Sequence, residues 1–192
     1  MSRLFVIVLL AMGIAACGQQ APASDTPSAP PPPPAPTAEP IPSVPPGGFG
    51  VTEQAFVQLT ISTDDQAVKL FDLGAERATT SLLREFASGL AATRRSELTT
   101  LHSLLEQAAV PYQNLHKGHD MPGMPTDDEL TALGAAPGFD AEFTRLARAH
   151  LTESTTVARS AAKQVTHVGT KAVASGMADE RTAALARLDT LG

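Results

Sequence analysis

From Leu83 to Leu105 apolar residues recur every three or four places: Leu83, Phe86, Ala87, Leu90, Ala91, Leu98, Leu101, Leu104 and Leu105. That spacing lines one side of an α-helix while polar residues fill the rest, so it predicts a long amphipathic helix. Thr79, Thr80 and Ser81 stand just ahead of it and offer side-chain oxygens to the free N–H groups of a first turn. A weaker stripe of Phe56, Leu59, Ala67, Leu70 and Leu73 predicts a preceding helix over about 52–77. Farther along, Thr126-Asp-Asp-Glu129 has the form of a capping box and predicts a short helix to Leu133. Gly138-Phe139-Asp140 then opens a third long helix, with Phe143, Leu146, Ala147, His150, Val157, Ala158 and Ala161 on one face. The last helix is expected to break near Ser175-Gly176 and to resume through Met177, Leu185, Leu188 and Leu191. His102 and His167 are expected on exposed helix surfaces.

Proline sets the organisation. Val51 to Val110 and Gly138 to Gly192 contain none, while Pro111, Pro122, Pro125 and Pro137 crowd the region between. Because proline ends or kinks a helix, this predicts two helical hairpins joined by a long loop. The expectation is an all-α four-helix bundle over residues 51–192, long enough to build one core. The other twelve of the 16 prolines lie between Pro22 and Pro46, five of them consecutive at Pro30–Pro34. Residues 17–50 are mostly Ala, Pro, Ser and Thr, too poor in apolar groups to bury a core. Such a chain favours extended polyproline II at about 3.1 Å per residue and reads as a semi-rigid stalk.

The N-terminus fixes the expected compartment. Arg3 precedes an apolar run from Leu4 to Ile14, too short to span a bilayer as a mature helix. The run ends Ile14-Ala15-Ala16-Cys17, which resembles a bacterial lipobox; residues 1–16 then form a lipoprotein signal peptide. Cys17 is the single cysteine of the chain, and lipidation with palmitate or a similar acyl group accounts for it. The expected location is the extracytoplasmic face of the cell membrane, lipid-anchored. An ordinary secretory signal with a chance cysteine is the alternative. With Cys17 acylated, the mature domain has neither a disulfide nor a thiolate metal site.

Net charge is −6, and one unit more negative once Arg3 leaves with the leader. That balance argues against nucleic acid and against a basic membrane-binding face. The chain contains no P-loop, dinucleotide fingerprint or nucleophile elbow, so no enzyme activity is expected. The chemistry that does attract notice is His116-Lys-Gly-His119-Asp-Met121-Pro-Gly-Met124. Thioethers are soft ligands that favour Cu(I), and imidazole suits either copper state. Pro122-Gly123 is also a type II turn signal, which would bring Met121 and Met124 to the two ends of one turn. Two readings stand: a copper site of His116, His119, Met121 and Met124, or a packed turn whose methionines fill an irregular gap.

Met121-Pro-Gly-Met124, Glu129-Leu130-Thr-Ala-Leu133 and Phe139-Asp140 together resemble the segment that joins the two halves of the ferritin-like family called domain of unknown function 305. A second ferritin-like family, domain of unknown function 4142, is similar in its hairpins and Phe-Asp start. The first resemblance implies a bundle whose halves each carry a His-His pair on one helix and Gln-x-x-Glu on the next. Here Thr63 and Asp64 stand at the first pair, Arg94 at the glutamine and Glu97 at the glutamate. In the second half His150 is kept and Leu151 replaces its neighbour, while the second glutamate falls near Thr182, close to Glu180. The resemblance thus leaves Asp64, Glu97 and His150 as a weak inherited bundle site, and Arg94 paired with Glu97 or Asp64 explains the same residues without metal. Two functions follow from different classes. One is a copper-buffering or copper-delivering envelope lipoprotein; the other is a structural or interaction module whose metal site has been lost.

Overall fold

The structure, a computed structural model, describes residues 48–191. The expected signal peptide, Cys17 and most of the stalk lie outside the described residues. Five helices follow in order: α1 Val51–Arg77, α2 Ser81–Gln107, α3 Asp127–Ala135, α4 Phe139–Gln164 and α5 Val168–Asp189. The short links after α1 and α4 turn each pair into an antiparallel hairpin. α1 packs along α2 and α4 along α5, with α1 against α4 as the main seam between hairpins. The all-α four-helix bundle of two hairpins is therefore as expected, with α3 lying in the long connection.

Local chemistry sets most helix ends. The Thr80 hydroxyl accepts from the Leu83 N–H at the start of α2, and Thr126 with Glu129 closes the capping box of α3. α2 ends with the Val110 N–H donating back to the Leu105 carbonyl and Ala109 at φ 55°, a left-handed cap made without glycine. Two expectations fail. α5 runs unbroken through Ser175 and Gly176, because Gly176 faces open space and one glycine there costs only about 1 kcal/mol. His167 is not a surface residue on a helix: it is the N-cap of α5, and its Nδ1 accepts from the Thr170 N–H at 3.2 Å. His102 is half-buried, edge-on to Tyr112.

The core is divided. One apolar cluster includes Leu70, Phe71, Phe86, Leu90, Phe143 and Leu188. The other includes Phe56, Ile61, Leu101, Leu105, Ala158 and Met177. On α1, α2 and α5 the residues that fall between the clusters are Asp64, Arg94 and Arg181, all at most 1% exposed. A charged layer thus crosses the middle of the bundle.

Candidate functional site

In that layer Arg181 of α5 donates to Asp64 Oδ1 at 3.0 Å and to both Glu97 oxygens at 3.0 and 3.1 Å. Arg94 of α2 donates to Glu97 at 2.8 Å and to Glu180 at 3.0 Å, with Asp64 3.8 Å from its Nε. Each guanidinium is therefore shared between carboxylates of different helices, which offsets part of the cost of desolvation, while Arg94 Nε and Nη2, Arg181 Nε and Asp64 Oδ2 have no hydrogen-bond partner in the protein. Burial pushes the Asp64 carboxyl up, Arg181 and Arg94 pull it down, and Glu97 pushes it up again; the balance lies at about 7. The two ion pairs named as alternatives for Arg94 both form. Arg181, the third element of the network, was not anticipated. Its spacing of four from Met177 and three from Ala184 puts it on the buried face of α5, but its charge reads as surface.

Asp64, Glu97 and His150 do not converge as a ligand set. Arg181 joins the two carboxylates, and His150 is engaged elsewhere. Among the described residues no three His, Cys, Asp or Glu side chains gather where they could hold a metal ion.

His150 instead clamps the Met-Pro-Gly-Met segment. The Met124 N–H donates to the Met121 carbonyl at 3.0 Å, and Gly123 has φ +73°, so the expected type II turn is formed. It lies flat against α4. A Cβ on Gly123 would stand 2.6 Å from Glu153 Cβ and 2.9 Å from the Ala149 carbonyl oxygen. His150 Nδ1 lies 3.1 Å from the Gly123 carbonyl. A carbonyl only accepts, so Nδ1 carries the proton and Nε2 keeps a bare lone pair. Nε2 is buried and has no partner. Burial, with Arg94 and then Arg181 nearby, holds the His150 pKa well below the usual value, so the ring is neutral.

Met124 is buried and Met121 half-buried at the two ends of the turn. His119 is exposed and His116 half-buried, in a second turn closed by the His119 N–H on the His116 carbonyl at 3.0 Å. Asn114 Oδ1 holds this stretch to α1, accepting from the Ser62 hydroxyl and the His116 N–H. Met121 also borders a cavity of about 50 Å³ between α1, α4 and α5, lined by His150, Met177, Phe56, Glu153 and Val157 among others. Met177 was read from sequence only as a core residue.

Known structures share this architecture. A DUF305 fragment from Deinococcus radiodurans is 19% identical, with a TM-score of 0.66 over 77% of this chain and 97% of that one. A DUF305 protein from Streptomyces coelicolor is 21% identical, with a TM-score of 0.66 over 73% of this chain and 91% of that one. CopM in its Cu(I)-bound form is 17% identical, with a TM-score of 0.64 over 74% of this chain and 96% of that one; CopM has also been solved with Cu(II) and with silver. At such identities the likeness establishes the fold. No curated protein matches the chain. The model of the family described as domain of unknown function, DUF305, matches residues 53–191, and the chain belongs to that family.

Proposed function

We propose that the protein binds a soft metal ion, Cu(I) foremost, without catalysis, as a lipid-anchored lipoprotein on the extracytoplasmic face of the membrane. The ligands are Met121 and Met124 with His116 or His119. The observation that carries this reading is the closed Met121–Met124 turn, held to α4 by His150. A preformed turn has already lost much of the conformational freedom that binding would otherwise cost. Thioethers prefer Cu(I) and have no proton to lose, and the chain has no cysteine beyond Cys17 to compete. CopM, which has the same fold, is known with Cu(I), Cu(II) and silver bound. The role is buffering or delivery.

A second reading has its own support. The middle of the bundle, where the family pattern implies histidines, is filled by two arginines paired with carboxylates. On that reading the domain is an interaction module and the turn only seals one end of the bundle. Titration of the full chain with Cu(I) against a chromophoric chelator separates the two. Met121→Leu with Met124→Leu keeps volume and apolarity. The metal reading expects this double variant to lose at least about tenfold in affinity, 1.4 kcal/mol, at an unchanged melting temperature. Unchanged affinity, or no binding by the parent protein, favours the module.

A further inference from the structure

We propose that the charged layer is a proton-dependent clasp between the two hairpins: Asp64 and Glu97 share one proton in the folded protein, and losing it loosens the bundle. The clasp stands whether or not the turn holds a metal. Asp64 projects from α1 at 0% exposure. α2 sets Arg94 and Glu97 beside it, and α5 sets Arg181 against it, with Glu180 joined to the layer through Arg94. α4 contributes the neutral ring of His150 and, in the lining of the cavity that Arg181 borders, the exposed Glu153. Two guanidinium groups thus meet three carboxyl groups, one of them fully enclosed. With every one of these groups ionised, the layer holds one negative charge in excess.

The surroundings of Asp64 fit a shared proton better than a full charge. Nη2 of Arg181 donates to Asp64 Oδ1 at 3.0 Å and to Glu97 Oε2 at 3.1 Å, so one nitrogen draws the two carboxyl groups together. They come within hydrogen-bonding reach of each other. Two carboxylates only accept and cannot bond; a carboxylic acid and a carboxylate can. Asp64 Oδ2 is buried and no N–H or hydroxyl donates to it, whereas the Glu97 and Glu180 side chains reach solvent at 14% and 30% exposure. Like charges held this close resist ionising together, so the pair keeps one proton and the layer is neutral. Burial raises the Asp64 pKa, Arg181 and then Arg94 lower it, and Glu97 raises it again, from 3.8 to about 7 in the fold. A carboxyl raised in this way gives stability that is full below pH 3.8 and is lost as pH rises through about 7. Because Arg181 and Arg94 tie α5 to α1 and α2, the proton sets how tightly the hairpins hold each other.

The test follows the Asp64 carboxyl carbon by NMR, assigned through its backbone, in the ¹³C-labelled full chain from about pH 5 to about pH 9. Thermal unfolding of the parent and of Asp64→Asn runs beside it. Asparagine keeps Oδ1 as an acceptor for Arg181 and offers Glu97 an amide donor, so it makes the neutral arrangement permanent. The expected Asp64 resonance moves within this window, whereas ordinary aspartates titrate near about pH 4. The parent is expected to lose stability relative to Asp64→Asn as pH rises, with the ratio of their unfolding constants changing at least about tenfold. The histidines are common to both proteins and cancel in that ratio. An Asp64 resonance already ionised at the acid end, or still protonated at the alkaline end, overturns the clasp. So does a parent more stable than Asp64→Asn by the same margin at every pH, the behaviour of a fixed ion pair. If Asp64→Asn does not fold, the carboxyl titration of the parent decides alone.

Discussion

Arg181 shows most sharply what one side chain does here. It is 1% exposed and is the strongest link between α5 and the carboxylates of α1 and α2. Replacing it with methionine leaves Asp64 and Glu97 in the bundle with Arg94 alone. Breaking a buried pair in this way costs about 3–5 kcal/mol, more than the apolar gain from methionine returns. Urea unfolding of Arg181→Met should show a loss in that range; a loss below about 1 kcal/mol would mean the layer is hydrated. Gly123 is the other residue whose chemistry has no substitute. Its φ of +73° strains any residue with a Cβ, and that Cβ would meet α4 at 2.6 Å. Gly123→Ala should cost more than about 2 kcal/mol and release the turn, read as lost protection of the Met124 amide from hydrogen exchange. The Pro-Gly turn was legible because its two residues each dictate a dihedral. The partner of the turn was not: the sequence places His150 on the apolar face of α4 and gives no sign that it reaches the turn. Its bond to the Gly123 carbonyl gives the ring a structural task, since leucine there would leave the carbonyl without its donor.

Among the elements, α2 was the most legible and α5 the least, and packing explains both. The stripe of α2 is leucine-rich, and each of its apolar positions except the half-buried Leu98 is buried. The buried face of α5 is built from Thr170, Ala174, Ala178 and Ala184 with Met177, Arg181 and Leu188, so small and charged residues hide its period. The entry to α5 depends on a residue far away in sequence. Glu53, in the first turn of α1, accepts from the Thr166 N–H at 2.6 Å and the His167 N–H at 3.2 Å, as well as from its own N-cap, Gly50. Burial works to raise its pKa, but the N–H groups of Thr166, His167 and Gly50 prevail and hold it at about 2. A carboxylate whose folded pKa lies below its unfolded value of 4.5 contributes stability above pH 4.5 and loses it as pH falls toward 2. Glu53→Gln should therefore cost on the order of 2 kcal/mol at neutral pH. The difference in unfolding free energy between parent and variant should shrink between about pH 4.5 and 2. A pH-independent difference would show that the contact acts through shape rather than charge.

For the whole molecule, the two-hairpin arrangement was written in where proline is absent, and the joining loop in where it is present. What composition could not reveal was the division of the core by a charged layer, because that depends on which charged residues of three helices meet. The layer fills the middle of the bundle with two guanidinium groups among carboxylates, and the metal site proposed above lies instead at the methionine turn. Anchoring belongs to this scale as well. If Cys17 carries the lipid as proposed, Cys17→Ser should abolish palmitate labelling and either release the protein from membranes or leave its leader unprocessed, and labelling that persists would assign the lipid elsewhere. The central claim is that sulfur from methionine meets the metal. X-ray absorption at the copper edge of the Cu(I)-loaded full chain tests it most directly, because Cys17→Ser removes the chain's single thiol and leaves thioether as the one sulfur source. The account predicts a sulfur-containing first shell in Cys17→Ser that is lost when Met121 and Met124 are both leucine; a shell of nitrogen and oxygen alone would contradict it.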